Sequence, residues 1–134
     1  IKHFTFALDL CEIQRRNGLY FLLEHPSGAS SWHASPMQRM LKREGVQTYE
    51  GDMCCYDLRQ IVGGEEFFVK KPTRFLTNSP CIGNALSIKC RGQHRHIELT
   101  GGGRTRRAEI YPDELCKEIL MGLMDQMELT VQMG

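Results

Sequence analysis

Leu19-Tyr20-Phe21-Leu22-Leu23 is an unbroken apolar run enclosed by Gly18 and Pro26. A run this short cannot cross a membrane, where a helix needs about 20 apolar residues. It also has no polar alternation that would leave one face to water. It reads as a strand covered on both faces, as in a parallel sheet between helices.

The flanking segments fit that reading. Before the run, Phe4, Ala7, Leu8 and Cys11 recur at helical spacing over residues 4–16, and Asn17-Gly18 supplies residues that tolerate a left-handed cap. After it comes a polar loop, His25–His33. Ser35-Pro36 then opens a short helix, with serine as N-cap and proline in the first turn, and Gly45 closes it. Val46–Tyr49 alternates like a second strand. Helix, strand, helix, strand is the order of a layered α/β sheet. Residues 50–70 read as a loop region with a Gly63-Gly64 turn and a hairpin arm at Phe67–Val69. Arg74–Thr77 reads as a short strand and Ile82–Ile88 as one or two helical turns. Pro112 opens a last helix with Leu115, Ile119, Leu123 and Met127 at i, i+4 spacing and Asp113 and Glu114 in its first turn. The alternating tail Leu129–Met133 reads as a final strand. The expected fold class is α/β, a partial Rossmann-like sheet with flanking helices and an irregular basic loop.

At 134 residues, with 41% apolar and 25% charged side chains, the chain can bury one modest core and is not of disordered composition. It is read as a single domain, 1–134, or as a fragment of a larger α/β domain. Ile1 is not a natural start, which points to processing or to a longer parent. The six cysteines do not form a disulfide-framework pattern. Cys11 and Cys116 fall on apolar helix faces, and Cys54-Cys55 are adjacent. The expected setting is therefore reducing and intracellular, cytoplasmic or nuclear.

The net charge of +1 excludes a broadly basic nucleic-acid coat, but the charge is polarised along the chain. Residues 89–107 carry six Lys/Arg (Lys89, Arg91, Arg95, Arg104, Arg106, Arg107) against Glu98, around the flexible Gly101-Gly102-Gly103. Residues 109–128 carry six acids against Lys117. The basic stretch reads either as a loop that follows a phosphate backbone or as an exposed loop paired with the acidic helix. Lys71, Thr73 and Arg74 are candidate phosphate contacts, with a solvated strand edge as the alternative. Met121, Met124 and Met127 read as core filling, with an adaptable partner groove as the alternative.

Cys81, Cys90, His94 and His96 are candidate zinc ligands, because thiolate and imidazole are the usual donors and structural sites use four of them. Their C-x8-C-x3-H-x-H spacing is not that of a standard finger; two ordinary cysteines and a polar loop are the alternative reading, and Cys54-Cys55 is an alternative source of ligands. Glu24 follows the apolar run, where a carboxylate at a strand end can accept hydrogen bonds from a ligand, with a loop acid capping a nearby backbone N–H as the alternative. No dinucleotide-binding, phosphate-loop, nucleophile-elbow or metalloprotease motif is present.

The segments LEHPSGASSW, GVQTYEGDMCCYDL, KKPTRFLTNSP, CRGQHRHIELTGG and YPDELCKEIL, in that order, resemble methyltransferase-like domains of phage and of protist retroelement-type polyproteins. These are similar to DNA cytosine-5 methyltransferases. The resemblance implies that Glu24 matches a Glu-Asn-Val motif whose glutamate contacts the target base, with His25 and Pro26 departing from it. It also implies that Lys71, Thr73 and Arg74 lie near the target strand. The family's Pro-Cys nucleophile and glycine-rich S-adenosylmethionine loop precede that glutamate, and Pro80-Cys81 follows it. The expectation is a nucleic-acid-associated, methyltransferase-like domain, incomplete or degenerate and not catalytic alone. S-adenosylmethionine would bind only with upstream residues present. The alternative is a non-catalytic subunit or interaction module that meets a protein partner through the acidic helix and its methionines. A zinc-stabilised binding domain is the third reading.

Overall fold

The computed structural model describes residues 2–97 and 111–133. The glycine-rich stretch with Arg104, Arg106 and Arg107 lies outside them.

Helix α1, Lys2–Arg16, turns Leu8 and Cys11 inward. Its end is closed by two backbone bonds, Gly18 N–H to Arg15 O at 3.1 Å and Leu19 N–H to Gln14 O at 2.9 Å. Gly18 takes φ +71° there, the left-handed conformation this cap needs. Arg15 and Arg16 sit in the last turn, where cations meet the negative end of the helix dipole. Strand β1, Leu22–Pro26, leads through a short 3-10 turn, Ser30–His33, to α2, Ser35–Leu41. Then come β2, Gln47–Asp52, and a second 3-10 turn, Met53–Tyr56. Strands β3, Arg59–Val62, and β4, Glu65–Phe68, form a separate hairpin. Gly63 and Gly64, at φ +61° and +83°, form its two-residue turn, which requires positive φ at both positions. Strand β5, Pro72–Thr77, leads into α3, Pro80–Ala85, and α4 spans Asp113–Met133.

The main sheet has the order β1-β5-β2, and both pairings are antiparallel. This corrects the expected Rossmann-like parallel sheet: the fold is a small mixed α/β domain with two short antiparallel sheets. The source of the error is physical. Strands β1 and β2, joined through α2, do run parallel to each other, since each is antiparallel to β5. The later strand β5 then inserts between them, which is a split βαβ arrangement. An apolar run reports burial and says nothing of the direction of a neighbour.

The strand covered on both faces is thus β5. Leu76 packs on one side with Leu8, Cys11, Phe21, Trp32, Met37, Met40 and Val46. Phe75 packs on the other with Met53, Tyr56, Leu58, Val69, Ile82, Leu86 and Leu115. The polar residues of β5 disguise it in the sequence. Thr73 and Thr77 are buried, and their hydroxyls donate to Lys71 O at 2.9 Å and Phe21 O at 2.6 Å, so their burial leaves no bond unmade. Leu19, expected inside, is 51% exposed.

The tail Leu129–Met133 is helical rather than extended. Met121, Met124 and Met127 are exposed rather than core filling, and Cys116 is exposed as well. None of the six cysteines is disulfide-bonded. Among the described residues, no helix is long and apolar enough to cross a membrane.

One close approach ties the sheet to the segment after α3. A Cβ on Gly51 would run into the backbone carbonyl of Leu86 and lie 3.3 Å from that of Ile88. Gly51→Ala is expected to push β2 off this segment and to destabilise the fold by about 1–3 kcal/mol, the usual cost of overpacking. Denaturant unfolding checks this, and an unchanged midpoint would refute the packing described.

Candidate metal centre

Three separate stretches meet at one point beside the β3–β4 hairpin. Cys54 comes from the 3-10 turn after β2 and is buried. The turn is anchored by Met53 N–H on Lys70 O at 2.7 Å and by the Tyr56 hydroxyl on Ala85 O at 2.7 Å. Cys90 comes from the segment after α3. It is held against the end of β2 by Asp52 N–H on Ile88 O at 2.9 Å and by its own N–H on Asp52 Oδ2 at 2.7 Å. His94 and His96 lie on the stretch that runs beside β4, where Ile97 N–H donates to Phe68 O at 2.9 Å. The His94 ring stacks on Phe68 at 4.0 Å, and the Arg59 guanidinium lies 4.7 Å from that phenyl ring.

The donor atoms of Cys54, Cys90, His94 and His96 all lie within 4.8 Å of one another. Cys90 Sγ is 3.4 Å from Nε2 of both His94 and His96, and Cys54 Sγ is 3.3 Å from His96 Nε2. A tetrahedral zinc with bonds of about 2.3 Å to sulfur and about 2.0 Å to nitrogen has sulfur–nitrogen edges of about 3.5 Å. The measured edges are close to that. Two thiolates and two imidazoles form a set suited to zinc, and four protein ligands leave no open position for a substrate, as in structural sites.

The surroundings also fit a cation. Burial, and then the neighbouring Cys90 and Cys55 thiols, push the Cys54 thiol up to about 12. Burial, with His94 and Lys70 beside it, holds His96 below the ordinary imidazole value. Burial thus disfavours the thiolate at Cys54 and the imidazolium at His96. A divalent ion reverses this by stabilising thiolates, and neutral imidazole is the form that binds metal. Gly92, at φ +79°, aims its N–H at Cys90 Sγ over 3.3 Å. Asp52 is buried and fixes Cys90 through its backbone. Asp52→Ala is expected to weaken metal binding by about 10- to 100-fold, the range for outer partners of metal ligands. A competition titration against a chromogenic chelator would measure this.

Of the four ligands expected from sequence, Cys90, His94 and His96 come together and Cys81 does not. Cys81 lies in the first turn of α3, where its N–H donates to Gln126 Oε1 at 3.1 Å. The fourth donor is Cys54. Its signal in the sequence was the Cys54-Cys55 pair, but no spacing rule brings that pair to residues 90–96.

The other singled-out residues are dispersed. Glu24 stands in the middle of β1 opposite Phe75, and its Oε2 is buried without a hydrogen-bond partner among the described residues. Tyr111 lies beside it, its phenol raised by burial first and then by the Glu24 charge and hydrogen bond. Thr73 is buried. Arg74 pairs with Glu50 at 2.9 Å and lies 5.0 Å from the Trp32 ring. Lys89 joins the same carboxylate at 3.0 Å, and Lys89 first, then Arg74, holds Glu50 below its ordinary pKa. Lys71 sits at φ +38° just before β5. Lys71, Thr73 and Arg74 therefore do not share one exposed face.

No family model, no curated protein and no solved structure matches this chain.

Proposed function

We propose that the chain is a zinc-stapled binding module whose ion is structural and whose function lies in its surfaces rather than in catalysis. The carrying observation is the closed set of four donors, Cys54, Cys90, His94 and His96, within 4.8 Å. Those donors come from stretches that the two core clusters hold only in part. An ion there links the end of β2, the segment after α3 and the β3–β4 hairpin, and binding energy at such a site is folding energy. The methyl-transfer reading rests on the sequence resemblance alone. Its central residue, Glu24, lies mid-strand in an antiparallel sheet.

Metal analysis of the protein, purified without added metal, is expected to find one zinc per chain. Cobalt substitution is expected to give the intense visible bands of a tetrahedral thiolate site. Chelation is expected to lower the melting temperature, and zinc is expected to restore it. A metal-free protein whose melting ignores both chelator and zinc would overturn the proposal.

A further inference from the structure

Helix α4 is anchored by Leu115 and Gly122, both buried. A Cβ on Gly122 would lie 2.9 Å from Ile82 Cα, so the helix rests closely on α3. Its opposite side carries Leu120, Met124, Met127 and Val131, which are 60%, 68%, 55% and 79% exposed. Their alternating spacing of four and three residues makes one continuous stripe, the seam by which one helix receives another. Beside it Leu19 and Tyr20 meet Leu123, Met127, Thr130 and Val131 around a groove of about 400 Å³. Single exposed apolar residues are ordinary, but a continuous stripe bordering a groove marks a contact surface.

Charge selects the occupant. Helix α4 carries Asp113, Glu114, Glu118, Asp125 and Glu128 against Lys117 alone. None of these acids is in an ion pair among the described residues. A second copy of α4 laid along the stripe would bring acid to acid, and an anionic lipid surface would be repelled in the same way. A helix with lysines or arginines around an apolar face meets both features at once. The unbranched methionine side chains can adapt to its anchors. We propose that this face of α4, with Leu19 and Tyr20, receives a basic amphipathic helix of a partner protein. This rests on the binding-module reading and names the partner.

The test uses the zinc-loaded full chain and a fluorescein-labelled peptide of about 18 residues, or five helical turns. The peptide has leucines at three- and four-residue spacing and lysines elsewhere. Saturable binding with Kd of about micromolar or tighter is expected. Binding should weaken at least about tenfold in M124E/M127E, because each buried carboxylate would meet an apolar anchor. Both positions are exposed, so the variant is expected to keep the wild-type melting temperature and zinc content. The lysine peptide with its order scrambled, and a peptide with glutamate for lysine, are expected not to bind. The proposal fails if the ordered peptide does not bind, if either control binds equally, or if M124E/M127E binds as well as wild type. It also fails if the chain alone forms a dimer in sedimentation that M124E/M127E dissolves, since the occupant is then a second copy. Failure of the binding-module reading shows separately, as melting that is insensitive to chelator.

Discussion

Cys54→Ser is expected to empty the metal centre and to lower the melting temperature by roughly 10–20 °C, while Cys81→Ser changes neither. A serine hydroxyl at the Cys54 position is a poor zinc donor, and the remaining Cys90, His94 and His96 make an open three-ligand set. An ion present at a thousand times its Kd stabilises a fold by about 4 kcal/mol, a large share of the 5–15 kcal/mol typical of a domain. For a chain of this length that corresponds to the stated shift. The loss should be local first. Amides anchored near the site, such as those of Cys90 and Ile97, are expected to lose hydrogen-exchange protection before that of Leu76 in the central strand. Cys81 lies in α3 outside the cluster, so its variant is the matched control. Retention of one zinc per chain in Cys54→Ser would sink the assignment. Equal loss in Cys81→Ser would return the fourth ligand to the position expected from sequence.

Phe75→Ala is expected to cost about 3–5 kcal/mol, and Leu19→Ala no more than about 0.5 kcal/mol. Phe75 is 1% exposed in the strand covered on both faces. Removing its ring leaves a cavity lined by side chains from the β2 end, α3 and α4. Leu19 precedes β1 and is largely in water. A parallel sheet centred on Leu19–Leu23 gives the opposite ranking, so the two unfolding curves separate the two topologies. A larger loss for Leu19→Ala would show that the antiparallel order is wrong.

Part of this architecture was legible from local chemistry. The start of α2 near Pro36, the cap of α1 at Asn17-Gly18 and the hairpin at Gly63-Gly64 follow from what proline and glycine do to the backbone within a few residues. Serine does not cap α2 as expected: its N-cap is Ala34, with no side-chain cap bond, and Ser35 is the first helical residue. The last helix was legible up to its tail. There the alternation of Leu129, Val131 and Met133 suggested a strand, but an established helix propagates at low cost through such a stretch. The methionines of that helix were expected inside and lie outside. Periodicity identifies an apolar face without saying whether a neighbour covers it.

For the candidate site, the sequence by itself offered the donor types and three of the four residues, Cys90, His94 and His96, with ordinary cysteines in a polar loop as the competing reading. Only the tertiary structure decided that Cys54 completes the set and Cys81 does not. That choice depends on a turn after β2 folding against a segment some 36 residues later (90 − 54). For the sheet, the sequence marked extended stretches near β1, β2, β4 and β5, since these are local preferences of the chain. However, β3, Arg59–Val62, was expected as loop, β1 runs over Leu22–Pro26 rather than Leu19–Leu23, and the helical tail Leu129–Met133 was expected as a strand. Strand order and direction were decided by β5 entering between β1 and β2, with Phe75 and Leu76 filling a core on each side. Such pairing is a long-range event whose energy is shared by many residues, and no single segment of the sequence carries its signature.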